Sequence, residues 1–417
     1  MRSASLLLLL LPLLFACDRD DRLVEDDRGL TGPGSASSYP QSAVVSSTDL
    51  GTLGGQSSYA TDINNAGTVV GWSLTAAGIE RAFRWTRGSG MTDLGVLPRD
   101  EWSQALSIAN DGTILGVSGA QGAYVGKPVT WRPDGSIAPL VLPLLPGAPF
   151  GAVTDLNVGD QLIGWDAVVL QHAWYLSRAT GKVDITATIV DGWEGIASDV
   201  TASGYVVGTN RSSLQDCFPH VAECWHGFIW SRGGGYVDLG KPADDPGAIV
   251  TAQALNTQRT VVGWIRSLKA DFLPYRWTRQ EGFTLLPVTG TARASAINDR
   301  GTVVGSMGGH VTVWPASGGW VEVDPDYPFW SDASAINSGG VIAGSRGQSS
   351  DGPAHATIWV LGPGKAIPNA TATPARPAAR LGPTVVPRGS AACLEDPDAL
   401  LSRATLFQCL LERDRRK

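Results

Sequence analysis

TDINNAGTVVGWS at residues 61–73 and SAINDRGTVVGSM at residues 295–307 are nearly the same phrase, written more than two hundred residues apart. A recurring unit dictates architecture before any local propensity does, because every copy has to solve the same packing problem. The Gly that closes the phrase recurs as Gly71, Gly116, Gly164, Gly208, Gly263, Gly305 and Gly344, at spacings of 39 to 55 residues. Seven positions earlier stands Asn64, Asn157, Asn256, Asn298 or Asn337, with Ala109 and Thr201 in the two remaining copies. Four positions earlier Gly occurs in five copies, and Asp160 and Arg259 in the others.

Each copy continues into an aromatic run, such as AFRW ending at Trp85, PVTW at Trp131, GFIW at Trp230 and ATIW at Trp359. A Gly-rich turn and a short strand like MTDLG (91–95) or YVDLG (236–240) follow. That makes four short β-branched or alternating runs per unit, parted by Gly, Asn, Asp and Ser, with no capped helical stretch. One four-stranded sheet of this size cannot cover both its faces, so the units must stack. Seven sheets of about 45 residues suit an all-β, seven-bladed β-propeller. The repeated phrase is then the inner hairpin of a blade, its NNAG or NDRG turn supplying the residues that a reversal needs. The recurring Trp, Ile and Val positions are expected between blades, and the recurring Gly where a strand bends or two strands crowd. The ring can close in two ways: VVSSTDLG (44–51) completes the last blade, or GKAIPN (364–369) does.

The first copy, TDLGTLGGQSSYATDINNAGTVVGWS (48–73) followed by RAFRWTRGSGMTDLG (81–95), resembles the bacterial HAF repeat, named for a His-Ala-Phe tripeptide. The resemblance spans roughly residues 48–366 and implies a repeat protein of the extracellular kind, with no common reaction attached. No copy here carries the whole tripeptide: its His is kept as His172, His226, His310 and His355, and is Arg81, Lys127 and Leu273 elsewhere.

The ends of the chain read differently. MRSASLLLLLLPLLFACD has an early Arg2 and an apolar run from Leu6 to Phe15, about half the length of a membrane span, which marks residues 1–16 as a signal peptide. LFAC resembles a lipobox, making Cys17 the expected lipidation site and the membrane a partner through acyl chains. Residues 17–42 are charged, then Gly/Ser/Pro-rich, and read as a solvated tether; 43–368 are the repeats; 369–390 are a Pro/Ala linker. The last segment, 391–417, carries a helical stripe that includes Leu400, Leu401, Ala404 and Phe407. The four remaining cysteines suit an oxidising compartment, and the expected disulfides are Cys217 with Cys224 and Cys393 with Cys409. CFPHVAECWH (217–226) fits no common zinc spacing, so no metal is expected there. The second bridge requires a shortened helix, because a helix unbroken from Pro397 to Cys409 would rise about 18 Å. The expected location is the cell envelope, at the outer membrane or cell surface, and the expected state a monomer.

In an up-and-down blade, alternate connections emerge on the same side. The inner turns and the turns after the Trp strand are short, whereas the other two sets are long. PRDEWSQ (98–104), VDGWEGI (190–196) and DPDYPFWSD (324–332) belong to the long set. Trp102, Trp193 and Trp330, beside Glu101, Glu194 and Asp326, therefore form the candidate ligand site: flat rings stack on sugar C–H faces while acids accept hydroxyl protons. The competing role for each aromatic is to plug the gap under its own loop. The four His occupy one outer position in four blades, too far apart to share an ion, and hydrogen bonds within each blade are their expected role. There is no G-x-S-x-G, G-x-x-x-x-G-K or H-E-x-x-H, no catalytic residue is singled out and no cofactor is expected. A net charge of -7 argues against nucleic acid. The sequence thus suggests a lipid-anchored binding or interaction module with a carbohydrate or protein ligand. A polysaccharide lyase or glycoside hydrolase, using loop carboxylates such as Glu101 and Glu194, is the alternative.

Overall fold

The computed structural model describes residues 44–361 apart from short stretches, the longest being 213–224. The signal segment, Cys17, the tether, Cys217, Cys224, the linker, the C-terminal stripe, Cys393 and Cys409 all lie outside the described residues. Within them the chain forms seven four-stranded antiparallel sheets, the propeller expected from the repeats. The inner strands are Gly54–Ile63, Trp102–Ile108, Gly151–Leu156, Gly192–Val200, Ile249–Leu255, Ala292–Ile297 and Ser331–Ile336, in blades 1 to 7. Each touches the next all the way round, blade 7 against blade 1 included. Closure takes the first of the two routes: Val44–Asp49 pairs with Ala354–Leu361 and supplies the outermost strand of blade 7.

Seven hydrophobic clusters hold the ring, one at each blade–blade interface. Val70, Ala82, Ile114 and Trp131 join blades 1 and 2; Leu50, Ala60, Phe83, Ala343 and Ile358 join blades 7 and 1. Trp131, Trp174, Trp314 and Trp359 are fully buried, as the repeat pattern required. Each such side chain contributes on the order of 2 kcal/mol or more by leaving water.

The two recurring polar signals have separate causes. The Asn amide serves two turns at once. Its oxygen accepts backbone N–H bonds inside its own turn, from Ala66 and Thr68 at Asn64 and from Arg300 and Thr302 at Asn298. Its nitrogen donates to a carbonyl in the next blade's turn: Asn157 to Thr201 at 2.7 Å, Asn298 to Asn337 at 3.1 Å and Asn337 to Asn64 at 3.1 Å. Blades 2 and 4, with Ala109 and Thr201, lack this onward clip. Their outgoing interfaces are joined nearer the axis, by Ser107 Oγ 2.5 Å from Asp155 Oδ1 and by Leu255 N–H donating to Asp199 Oδ2 at 3.0 Å.

The closing Gly of the phrase faces a bulge. Every inner strand shifts register by one residue opposite it, as between Ala60 and Asp62 or Ala252 and Ala254. The bulge throws an inner-strand carbonyl toward the second strand, so a Cβ on Gly71 would stand 1.9 Å from Tyr59 O, and one on Gly263 2.0 Å from Thr251 O. The turn Gly is needed for another reason, its positive φ; where it is replaced, Asp160 and Arg259 adopt that conformation themselves, at φ 53° and 63°.

Candidate functional site

The bulges also decide what lines the axis. The residue after each bulge is Asp62, Ser107, Asp155, Asp199, Ala254, Ala296 or Ala335 in blades 1 to 7. One side of the channel is therefore polar and linked. Ser107 Oγ lies between Asp62 Oδ2 (3.1 Å) and Asp155 Oδ1 (2.5 Å). The carboxylates accept backbone N–H bonds from the following blade: Ile108 to Asp62, Val200 to Asp155 and Leu255 to Asp199. The other side carries alanine at this position and leaves a cavity of about 200 Å³, bordered by Asp62, Asp199, Gln253, Ser295 and Ser334. Sequence reasoning passed over these acids. Their signal is the position two before the recurring Asn, which reads D, S, D, D, A, A, A around the ring.

The long-set connections leave from the ends where the inner strands begin. Trp102 is the first residue of its strand, half-buried, its indole N–H donating to Ala120 O at 3.0 Å. The ring covers Gly119 and Gly126, where a Cβ would approach it to 2.3 and 2.8 Å. Trp330 precedes the inner strand of blade 7 and covers Gly347 in the same manner, at 2.5 Å. Around it the loop is tied down: Tyr327 donates its hydroxyl to Gly347 O at 2.6 Å, and Asp324 accepts from Arg346 and the Trp359 indole. Trp193 is the second residue of the blade 4 inner strand; its side chain and Asp326 lie outside the described residues. In blade 4 it is Glu194 that stands opposite the second strand, paired in register with Arg211. Burial pushes its carboxyl above the usual range, against the opposing charge of Arg211. Glu101 is exposed, its N–H bonded to Gly119 O. It stands at blade 2, two blades before Glu194 on blade 4.

Other acids of this face are spoken for. Asp100 is buried between Ser118 (2.8 Å) and Lys127 (2.7 Å). Asp166 accepts from Trp174, Leu145 and the buried Lys182 ammonium, which also lies 4.1 Å from the Trp174 ring centroid. Desolvation lowers the Lys182 pKa and the Asp166 contact opposes that shift. The four His lie near acids of their own blade's outer strand: His172 with Asp184 (2.9 Å), His226 with Asp238 (3.1 Å), His310 with Glu322 (3.7 Å) and His355 with Asp49 (2.8 Å). Burial works against ionisation of Asp238, but the bonds from His226 and the Gly240 N–H outweigh it and hold its carboxyl below the usual range. Among the described residues no group of three His, Cys, Asp or Glu is placed to hold a metal ion.

The chain matches no family model, and no curated protein is similar to it in sequence. Its fold is similar to that of several solved structures. An oligogalacturonate lyase in complex with manganese aligns with a TM-score of 0.50 at 10% identity, over 76% of this chain and 93% of that one. A virginiamycin B lyase from Staphylococcus aureus aligns with a TM-score of 0.48 at 11% identity, over 76% and 99%. The SapL1 lectin in complex with alpha methyl fucoside aligns with a TM-score of 0.37 at 10% identity, over 64% and 95%. At such identities the likeness is one of fold.

Proposed function

We propose that this propeller is a non-catalytic binding module of the HAF-repeat kind, held at the cell envelope by lipid on Cys17, whose carbohydrate or protein ligand meets the long-loop face. The observation that supports this most is the matched pair Trp102 and Trp330. They occupy the same place in blades 2 and 7, each seated half-buried over glycine at the rim. A ring fixed in advance loses little freedom when a ligand stacks on it, and that is where aromatic contacts gain their affinity. The enzymatic alternative draws on Glu194, whose raised pKa suits a general acid. A glycosidase needs a second carboxylate about 5 to 9 Å away, and Arg211 is the group that faces Glu194 across the strand pair.

A glycan array probed with the full chain and with Trp102→Ala, Trp193→Ala and Trp330→Ala tests the reading. Signal on a defined glycan class, reduced about tenfold or more in at least one variant, is the expected outcome. Binding unchanged in all three removes these residues from the site, and a glycan that is cleaved rather than retained moves the assignment to the enzyme. Cys17→Ser should shift the protein from the membrane fraction to the soluble one.

A further inference from the structure

The opposite face holds a cleft that the long-loop reading does not use. It lies between blades 4 and 5, encloses about 130 Å³, and is bordered by Tyr205, Trp230 and Trp277 with Arg259, Arg279 and Gln258 at its mouth. Trp230 and Trp277 are buried, while both arginines are exposed.

Elsewhere in this fold an arginine with a structural task is tied. Arg276 donates to the carbonyls of Gly301, Trp314 and Pro315, and Arg346 is paired with Asp324. Neither Arg259 nor Arg279 pairs with a carboxylate among the described residues. The Arg259 guanidinium stands 5.5 Å from the Tyr205 ring centroid.

Arg259 is also out of place for the repeat. At the equivalent turn position Gly67, Gly112, Gly204, Gly301 and Gly340 carry the positive φ. A side chain in that conformation is disfavoured by contact between its Cβ and the neighbouring carbonyl, and a conformation kept against such a penalty points to a use for the side chain. What the side chain does here is bring a second guanidinium to the cleft that Arg279 also lines.

We propose that this cleft binds a small carboxylate borne on a single ring. The guanidinium fork matches the two oxygens of a carboxylate, which an ammonium or a neutral polyol would not exploit. The half-buried Tyr205 phenol takes the ring, with the buried Trp230 and Trp277 behind it. The volume sets the size: about 130 Å³ takes a single ring. Ring acids of two origins share this chemistry, a sugar acid and an aromatic acid.

Calorimetric titration of the full chain with glucuronate, benzoate and glucose tests it. At least one of the two acids should bind and glucose should not; which acid binds identifies the origin. Arg259→Gly is the informative variant, because it restores the residue that five other blades use. It should keep or raise the melting temperature while weakening the acid about tenfold or more, and Arg279→Gln should weaken it as well. The proposal fails if neither acid binds, if Arg259→Gly weakens glucose as much as glucuronate, or if Arg259→Gly binds the acids like the parent. A marked drop in the melting temperature of Arg259→Gly also overturns it, by showing that the side chain is retained for stability.

Discussion

Gly71→Ala is expected to destabilise the propeller by more than about 3 kcal/mol, far beyond the usual cost of one added methyl. The new Cβ would sit 1.9 Å from Tyr59 O and 3.0 Å from both Ala60 Cα and Phe83 Cε1. Two of those three are backbone atoms of the inner strand, and that strand cannot retreat. Ala60 lies in the cluster that seals blade 7 against blade 1, and Ser334 of blade 7 donates its hydroxyl to Ala60 O at 2.8 Å. Moving the strand would open an interface, whereas leaving it in place forces an overlap that no rotamer relieves. Gly88→Ala is the control: nothing lies within 4 Å of its added carbon, and a change within about 0.5 kcal/mol is expected. Urea midpoints of the two variants against the parent decide the matter. A Gly71→Ala protein that unfolds with the parent would mean the bulge does not crowd the second strand.

The second large effect concerns closure. A chain beginning at Gly51 loses Val44–Asp49, the outer strand of blade 7, together with Leu50, which is buried at the blade 7/blade 1 interface. Leu50 alone accounts for roughly 2 to 3 kcal/mol; the lost strand pairing and the Asp49–His355 contact at 2.8 Å add to it. The shortened protein should melt well below the parent. It should also self-associate, since Ala354–Leu361 would become an unpaired edge open to other chains. Appending VVSSTDLG behind residue 361 through a short glycine linker should restore both properties, because the strand runs antiparallel to its neighbour and can return as a hairpin. Melting curves and light scattering read the three proteins. Equal melting of the shortened and parent chains would show that the ring does not depend on this strand.

Architecture was legible in the sequence because it is written seven times over. The Trp positions, the hairpin phrase and the spacing each demanded the same stacked sheet, and the agreement of copies removed the usual ambiguity of short strands. The closing strand was half legible. TDLG at residues 48–51 repeats TDLG at residues 92–95, the outer-strand signature, yet it stands before the first blade rather than after the seventh. The axial acids were hidden for a different reason. Asp62, Asp155 and Asp199 each sit beside a turn, where an acid is unremarkable, and they converge only because a bulge turns that position inward. The rim positions of Trp102 and Trp330 were legible, but not their seating. Trp102 depends on Gly119 and Gly126; Gly119, like Gly347 under Trp330, stands three residues after the closing Gly, a position that other copies fill with Leu74, Ala167, Arg211 or Arg266. The cleft at Arg259 was visible only as an irregularity, an arginine in a column of five glycines and Asp160.

The seam between Val44–Asp49 and Ala354–Leu361 also has a clock in it. Asp49 and its partner His355 are 306 residues apart, so at about 5 to 20 residues per second roughly 15 to 60 seconds of translation separate them. Throughout that interval VVSSTD has no neighbour to lie against, and its hydroxyls and carboxylate suit it to waiting in water. The lock turns only when the last strand of the seventh blade is in place beside it.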